Sequence, residues 1–324
     1  TASFDGGLDT LHEALKRVRS QKYPQDLIEL ILGHGGSPTK IAPIVQKFKA
    51  KVILIDPSKQ NAEYNRGVAF NQARSELVLI LDHDNLMPTK SYLLELVQPF
   101  LDDPQIVAAE SCYFHYDKAY SILDRYYALF GTLDPVPYYL GKADRMSQIS
   151  HSWNLLGRAR DVGNYYVVEF ESNPRRIPTV GTNGCLMRRE VVVKNADVRP
   201  DYHYPIDIMA EVIQAGHNRF AFVKNSLIHL TGSRGIIPFL KRRLMFVSQY
   251  HFRDLGKRRY SVYMPGDEVN LLKFVLYSLT FVKPTWDAFR GYLSIPDPAW
   301  FVHPVMCFGI CLVYGWGTIR GLFK

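Results

Sequence analysis

Residues 11–84 constrain the fold more than any other stretch, because segments of helical and strand character alternate there in the way a layered α/β sheet requires. Leu11, Ala14, Leu15 and Val18 recur on one helical face, and Tyr23-Pro24 ends that helix. Residues 27–32 (LIELIL) predict a buried strand, followed by a glycine-rich turn at Gly33-His34-Gly35-Gly36-Ser37. A helix over 43–49, a strand over 52–55, a helix over 65–73 and an apolar strand over 77–81 continue the pattern. The alternation predicts βαβ units and a mostly parallel, Rossmann-like sheet flanked by helices. Ligands bind such sheets beyond the carboxyl ends of the strands, and the glycine-rich turn and Asp82-His83-Asp84 both emerge there.

With 324 residues and 47% hydrophobic content, the chain can bury at least one sizeable core, which excludes general disorder. The formal charge of +8 favours anionic partners without distinguishing nucleic acid, lipid headgroups or a phosphorylated substrate. Cys112, Cys185, Cys307 and Cys311 are too few and too scattered for a disulfide framework, and no CxxC pair suggests zinc. A reducing, cytosol-facing active site fits that usage. No signal peptide is visible at the start, and the chain opens at Thr1 without an initiator Met.

Asp82-His83-Asp84 leaves an apolar strand with two carboxylates of alternate parity. Such oxygens suit Mg²⁺ or Mn²⁺, which neutralises a diphosphate and, as a Lewis acid, stabilises it as a leaving group. Taken alone, the triplet reads equally as an exposed acidic turn.

Its surroundings go further. Asn65-Arg66-Gly67-Val68-Ala69, the strand 77–81 running into Asp82-His83-Asp84-Asn85, and Pro88 together resemble glycosyltransferase family 2, as do Asp5-Gly6-Gly7, Gln21-Lys22-Tyr23-Pro24 and Ile28-Glu29-Leu30. The resemblance covers residues 1–235 and implies a GT-A fold, a nucleotide-sugar donor bound partly by Asn65, Asp82, His83 and Asp84, and an inverting reaction. It also implies a first strand ahead of Thr1. Gly181, Asn183 and Gly184, in Val180-Gly181-Thr182-Asn183-Gly184, match the family's loop beside the donor sugar, with an ordinary turn as the alternative. Asp207 falls where the family carries its general base, although the usual Glu-Asp pair is absent and a helix-capping role competes; Glu211 is the fallback. His229 ends an apolar strand and matches a histidine that ligates metal or diphosphate in several members, against the alternative of a structural histidine. The resemblance thus implies Asp82, Asp84 and His229 as ligands of Mn²⁺ or Mg²⁺. Where members carry an Asp-rich turn, this chain has His34 and Gly35, so His34 stands to contact the base. The Gln-x-x-Arg-Trp motif of processive synthases is missing, and Lys241, Arg242 and Arg243 are left to bind donor diphosphate or lipid phosphate.

Beyond residue 235 the chain changes character. Residues 236–260 interleave apolar and aromatic residues with seven basic residues and one acid, as in an interfacial amphipathic helix. A second apolar run covers 271–282 and carries Lys273. Residues 299–319 are mostly apolar, flanked by Trp300 and Trp316 and closed by Arg320 and Lys324, enough to cross a bilayer once; a buried or monotopic hairpin is the alternative. The expected division is a catalytic domain over 1–235, a basic interfacial region over 236–268 and a membrane-associated region over 269–324. The whole predicts a membrane-associated hexosyltransferase with its active site facing the cytoplasm, resembling dolichyl-phosphate mannose synthases and small cellulose-synthase-like transferases. It would move one sugar from GDP-mannose or a UDP-sugar to a lipid-linked acceptor, with membrane lipids and no nucleic acid as partners. The competing classes are a nucleotidyltransferase of similar fold and a non-enzymatic nucleic-acid-binding protein. Clustering of the basic residues beside apolar runs argues against the latter.

Overall fold

The computed structural model describes residues 1–231, 235–249 and 255–322. Residues 250–254, within the basic stretch, and Lys324, at the end of the apolar one, lie outside the described residues. In chain order the elements are β1 (Ala2–Phe4), α1 (Leu8–Arg19), β2 (Ile31–Gly35), α2 (Pro38–Phe48), β3 (Lys51–Leu54), α3 (Ala62–Gln72), β4 (Leu77–Ile80) and β5 (Asn85–Leu86). There follow α4 (Tyr92–Asp102), β6 (Ala108–Phe114), α5 (Ile122–Phe130), α6 (Pro135–Tyr139), β7 (Arg158–Asp161), β8 (Tyr165–Glu169), β9 (Cys185–Arg188) and α7 (Arg189–Asn195). The chain ends with α8 (Pro205–Gln214), β10 (Arg219–His229), α9 (Ile236–Ser248), α10 (Glu268–Thr280), α11 (Val282–Ser294) and α12 (Val302–Leu322).

Two compact units form, the first from Thr1–Cys112 and Gly157–Leu230, the second from Tyr113–Leu156 and Thr231–Lys324. The boundary near 230 lies close to the expected one at 235, but residues 113–156 group with the C-terminal helices instead of the first unit. Aromatic packing is the reason. Tyr126, Tyr127 and Phe130 of α5 are buried in one cluster with Phe274, Trp300 and Met306.

In the first unit the sheet β1-β2-β3 is parallel throughout, Ala2 facing Gly33 and Ile31 facing Lys51. Here the βαβ alternation holds. The strand expected over 27–32 is displaced, since residues 25–27 form a 3-10 turn and the ladder runs through the glycines that read as a turn. Gly33 shows why glycine is needed inside a strand: a Cβ there would sit 2.0 Å from the Asn65 carbonyl oxygen, so α3 lies directly on the β2 backbone. The second sheet runs β4-β9-β6-β10-β8-β7 with β5 on β10. β9 is antiparallel to β4 and β6, and β8 to β10 and β7, while the N-terminal sheet is parallel throughout. Leu96, Ile106, Val167 and Leu227 form the core under this sheet, while Leu11, Leu15, Leu32 and Phe48 form a second one between α1, α2 and β2. The expected stripe of α1 is buried throughout.

A cavity of about 480 Å³ separates the two sheets, lined by Leu15 and Val18 of α1, Leu32 of β2, Phe70 of α3 and Leu77 and Leu79 of β4. Asp82 and Arg66 stand on its wall. Among the described residues β4 pairs on one edge only, with β9.

The second unit is helical. Its buried charges are paired: Lys142 with Asp267 at 2.6 Å, Arg125 with Asp297 at 2.9 Å, and Asp134 with both Arg243 and the Tyr314 hydroxyl, the latter at 2.7 Å. His303 on α12 is buried between the hydroxyls of Tyr126 and Tyr139, each 3.0 Å away, and stacks on Phe130. Pro298–Arg320 is long and apolar enough to cross a membrane, but 56% of its most apolar window is buried inside the protein, as in a core helix.

Candidate functional site

Four element ends of the first unit meet around the acidic triplet. After β4 the chain turns, with Asn85 N–H donating to the Asp82 carbonyl at 3.0 Å, and starts the two-residue strand β5. β5 pairs antiparallel with the end of β10, which sets His229 opposite Asn85, and Leu230 N–H donates to the Asp84 carbonyl at 2.9 Å. Residue 229 thereby faces residue 85, and residue 84 pairs with residue 230. The Asn85 amide nitrogen donates to the Asp84 carboxylate at 3.1 Å.

The Gly181–Gly184 loop arrives alongside. Gly184 N–H donates to the Ile80 carbonyl at 2.9 Å, two residues before Asp82. Gly181, Asn183 and Gly184 all have positive φ, at 105°, 46° and 80°, and a Cβ on Gly181 would lie 2.7 Å from the Pro205 carbonyl oxygen. Only glycine permits that approach, and it draws the loop against the first turn of α8, where Asp207 is fully buried. Tyr204 takes the N-cap position, so Asp207 is an acid of the first turn and not its cap. Glu211, one turn later, accepts from Asp197 N–H at 3.0 Å and so braces the segment before α8.

Two residues that the sequence reading did not single out complete this arrangement. Arg66 on α3 makes a forked contact to Asp82, its Nη2 lying 2.9 and 2.8 Å from the two carboxylate oxygens and its Nε 3.2 Å from one of them. Burial works to raise the Asp82 pKa, but the guanidinium outweighs it and holds the carboxyl below its ordinary value. Glu110, fully buried on β6, accepts from Gly181 N–H at 2.7 Å and anchors the glycine loop. The signal for Arg66 was a cation inside the Asn65-Arg66-Gly67 motif, and for Glu110 an acid within an apolar strand.

The remaining expected donor residues take other places. His34 is fully buried, its Nδ1 3.0 Å from the Ser3 hydroxyl and its Nε2 3.5 Å from Asp5, so in this conformation its ring is not open to a base. Asn65 is buried as well. With its amide turned to satisfy both ends, it accepts from Gly35 N–H at 3.2 Å and donates to the Asn61 carbonyl at 3.0 Å, tying α3 to the end of β2. The His83 ring rests on Gly7, where a Cβ would come within 2.6 Å of it. Arg242 and Arg243 belong to the second unit, where Arg242 donates to the Thr231 carbonyl at 2.7 Å and Arg243 pairs with Asp134.

Among the described residues no three His, Cys, Asp or Glu side chains are gathered closely enough to hold a metal by themselves. Asp82 is committed to Arg66, while Asp84 and His229 lie on the two paired segments one residue out of register with each other. One carboxylate and one imidazole fit Mn²⁺ or Mg²⁺ in kind, provided ligand oxygens supply the other positions.

A sequence model of the family described as Glycosyl transferase family 2 matches residues 4–154. This segment contains Arg66 and the acidic triplet, while the glycine loop, Asp207 and His229 follow it. No curated protein sequence matches the chain. Among solved structures, this chain is similar to a mannosyltransferase from Pyrobaculum calidifontis in complex with GDP-Man and Mn²⁺, at 13% identity and a TM-score of 0.52 over 97% of this chain and 85% of that one. It is also similar to S. aureus TarS 1-349 in complex with UDP-GlcNAc, at 13% identity and a TM-score of 0.48 over 92% and 76% of the two chains. The first likeness shows the fold: this is a GT-A chain.

Proposed function

We propose that the chain is an inverting glycosyltransferase that moves one sugar from a nucleoside-diphosphate sugar to a lipid-linked acceptor at a membrane surface. The observation that carries the reading is the β5–β10 pairing, which sets His229 against the segment that starts from Asp84, beside the glycine loop that packs on the first turn of α8. Asp84 and His229 would hold Mn²⁺ or Mg²⁺, and a bound cation would stabilise the charge that develops on the departing diphosphate. Arg66 keeps Asp82 ionised and adds a fixed positive charge at the same edge of the sheet. Asp207, at the start of α8, accepts the proton of the acceptor hydroxyl as its oxygen bonds to the anomeric carbon and the bond from that carbon to the diphosphate breaks. The new bond forms on the face opposite the nucleotide, hence inversion.

GDP-mannose and UDP-sugars are the donors of choice, the former because the structurally similar P. calidifontis mannosyltransferase was captured with GDP-Man and Mn²⁺. The lipid acceptor is supported by the basic excess and the apolar helices of the second unit. Thermal-shift titration of the chain with GDP-mannose, UDP-glucose and UDP-GlcNAc, with and without Mn²⁺, tests the donor class. A metal-dependent stabilisation by one of them, with release of its nucleoside diphosphate in the presence of a polyprenyl phosphate, is the expected outcome. No shift with any donor at millimolar concentration would sink the reading, and pyrophosphate release from a nucleoside triphosphate would replace it with nucleotidyl transfer.

A further inference from the structure

The second unit exposes apolar side chains in two stripes at helical spacing. On α10 they are Val269, Leu272, Leu276 and Leu279, and on α11 Val282, Trp286, Phe289 and Leu293, each at least half exposed and Leu293 at 79%. The opposite faces are buried, through Phe274 and Ser278 on α10 and Ala288 and Gly291 on α11. Phe274 and Ala288 enter the same cluster as Met306 and Ile310 of α12, so both stripes point away from one shared core. Phe281 alone joins the two helices, in the left-handed conformation at φ 60°. Eight large apolar side chains thus stand exposed on adjoining helices, and exposed apolar faces of that kind mark interaction or membrane surfaces.

Charge indicates what covers it. Residues 236–324 hold twelve Lys or Arg against five Asp or Glu, nearly the whole of the chain's +8 excess. Asp267, Asp287 and Asp297 are buried, the first two paired with Lys142 and Lys283 and the third with Arg125, and Glu268 is the only exposed acid of this stretch among the described residues. Lys273 and Arg290 are exposed on the same two helices. α10 and α11 have 13 residues each, about 20 Å at 1.5 Å per residue, and cannot cross a hydrocarbon core of about 30 Å.

We propose that α10 and α11 form a monotopic hairpin that lies in the surface of one anionic phospholipid leaflet, with α12 as the core helix behind it. The proposal rests on the membrane-surface part of the function above and makes it specific: attachment is by a hairpin in one leaflet and not by a bilayer-crossing helix. Trp286 sits at the depth where amphipathic aromatic rings settle, and the lysine and arginine heads reach the phosphates.

Co-sedimentation of the full 324-residue chain with vesicles tests this without requiring turnover. With three-to-one phosphatidylcholine and phosphatidylglycerol the chain is expected in the pellet. The combined variant Leu272→Ser, Leu276→Ser, Trp286→Ser and Leu293→Ser, whose melting temperature should stay close to the parent's because all four side chains are exposed, should lose at least about tenfold in vesicle affinity. Lys273→Glu with Arg290→Glu should weaken binding to the anionic vesicles and leave binding to pure phosphatidylcholine unchanged. A parent chain that stays in the supernatant with both vesicle types overturns the proposal, as does equal sedimentation of the serine variant. So does a discrete dimer that the serine substitutions dissociate, which would assign the face to a second copy. Absence of vesicle binding with intact metal-dependent donor turnover removes the hairpin and leaves the transferase reading standing; vesicle binding without any donor response does the reverse.

Discussion

The two units differ in how many large apolar side chains they leave outside. In the first, glycines mark places where backbones touch: Gly33 under α3 and Gly181 against α8 leave no room for a methyl group, and buried polar side chains such as Glu110 and Asn65 hold the loops that result. In the second, Gly291, Gly309 and Gly317 are packed against side chains while Gly315 in the middle of α12 faces open space, and large apolar side chains stand outside. Close packing around polar groups fixes positions to fractions of an ångström, as transfer chemistry needs. A loose apolar surface needs only to present area.

Glycine substitution tests that contrast at both extremes. Gly33→Ala is expected to cost more than about 3 kcal/mol, because the clash is with main chain that cannot step aside, and chemical denaturation of the variant measures it. Equal stability would mean that α3 is not seated on β2. Next in size, Asp84→Ala should lower donor turnover at least about a hundredfold while circular dichroism stays unchanged. Wild-type rates would reduce the triplet to a turn.

Arg66→Met should destabilise by about 2 kcal/mol, the usual cost of an orphaned buried partner reduced for the partial exposure of Asp82. The pH dependence follows from the same contact. Asp82 titrates below its ordinary 3.8 in the folded chain, so its pairing adds stability above about pH 4 that is lost as pH falls through the depressed value. The acid limb of a plot of melting temperature against pH should therefore flatten in Arg66→Met. A limb unchanged from the parent's would assign the acid sensitivity elsewhere.

Smaller still is the gain from filling the cavity between the sheets. A six-residue extension of alternating Val and Ile placed before Thr1, on the wall of that cavity, offers a strand to the free edge of β4 and is expected to raise the melting temperature by several degrees, about 2–4 °C per kcal/mol in a domain of this size. A Gly-Ser extension of equal length is the control, and an equal rise with it would show that the slot is not read as a strand. At the small end, Gly315→Ala should stabilise α12 by about 0.8 kcal/mol through helix propensity alone, opposite in sign to Gly33→Ala. Loss of stability there would indicate a packed surface where the structure has an open one.

Much of the first unit was legible because periodicity reports burial. The α1 stripe, the strand before Asp82 and the terminal position of His229 all follow from runs of apolar residues and where they stop. Residues 27–30 misled for the same reason: Ile28 and Leu30 pack against the core beside the cavity without a ladder, Leu27 stays exposed, and no strand forms until Ile31. Pairings at long range carried no such signal. Arg66 meets Asp82 across 16 residues and Glu110 meets Gly181 across 71, and nothing in the local pattern around either acid names its partner. The second unit was harder again, since its core joins α5 to helices that start only at Ile236, and a helix buried among other helices has the same composition as one buried in lipid.

The single residue between α10 and α11 has a consequence for how this chain can vary. Each residue added to an α-helix advances it by roughly 100°. With Phe281 as the whole connection, one insertion or deletion there would rotate α11 about its axis by more than a quarter turn, bringing Trp286 and Leu293 round toward the core and sending Ala288 and Gly291 outward. The length of that turn is thus a phase setting, and substitutions are tolerable at this position where changes in length are not.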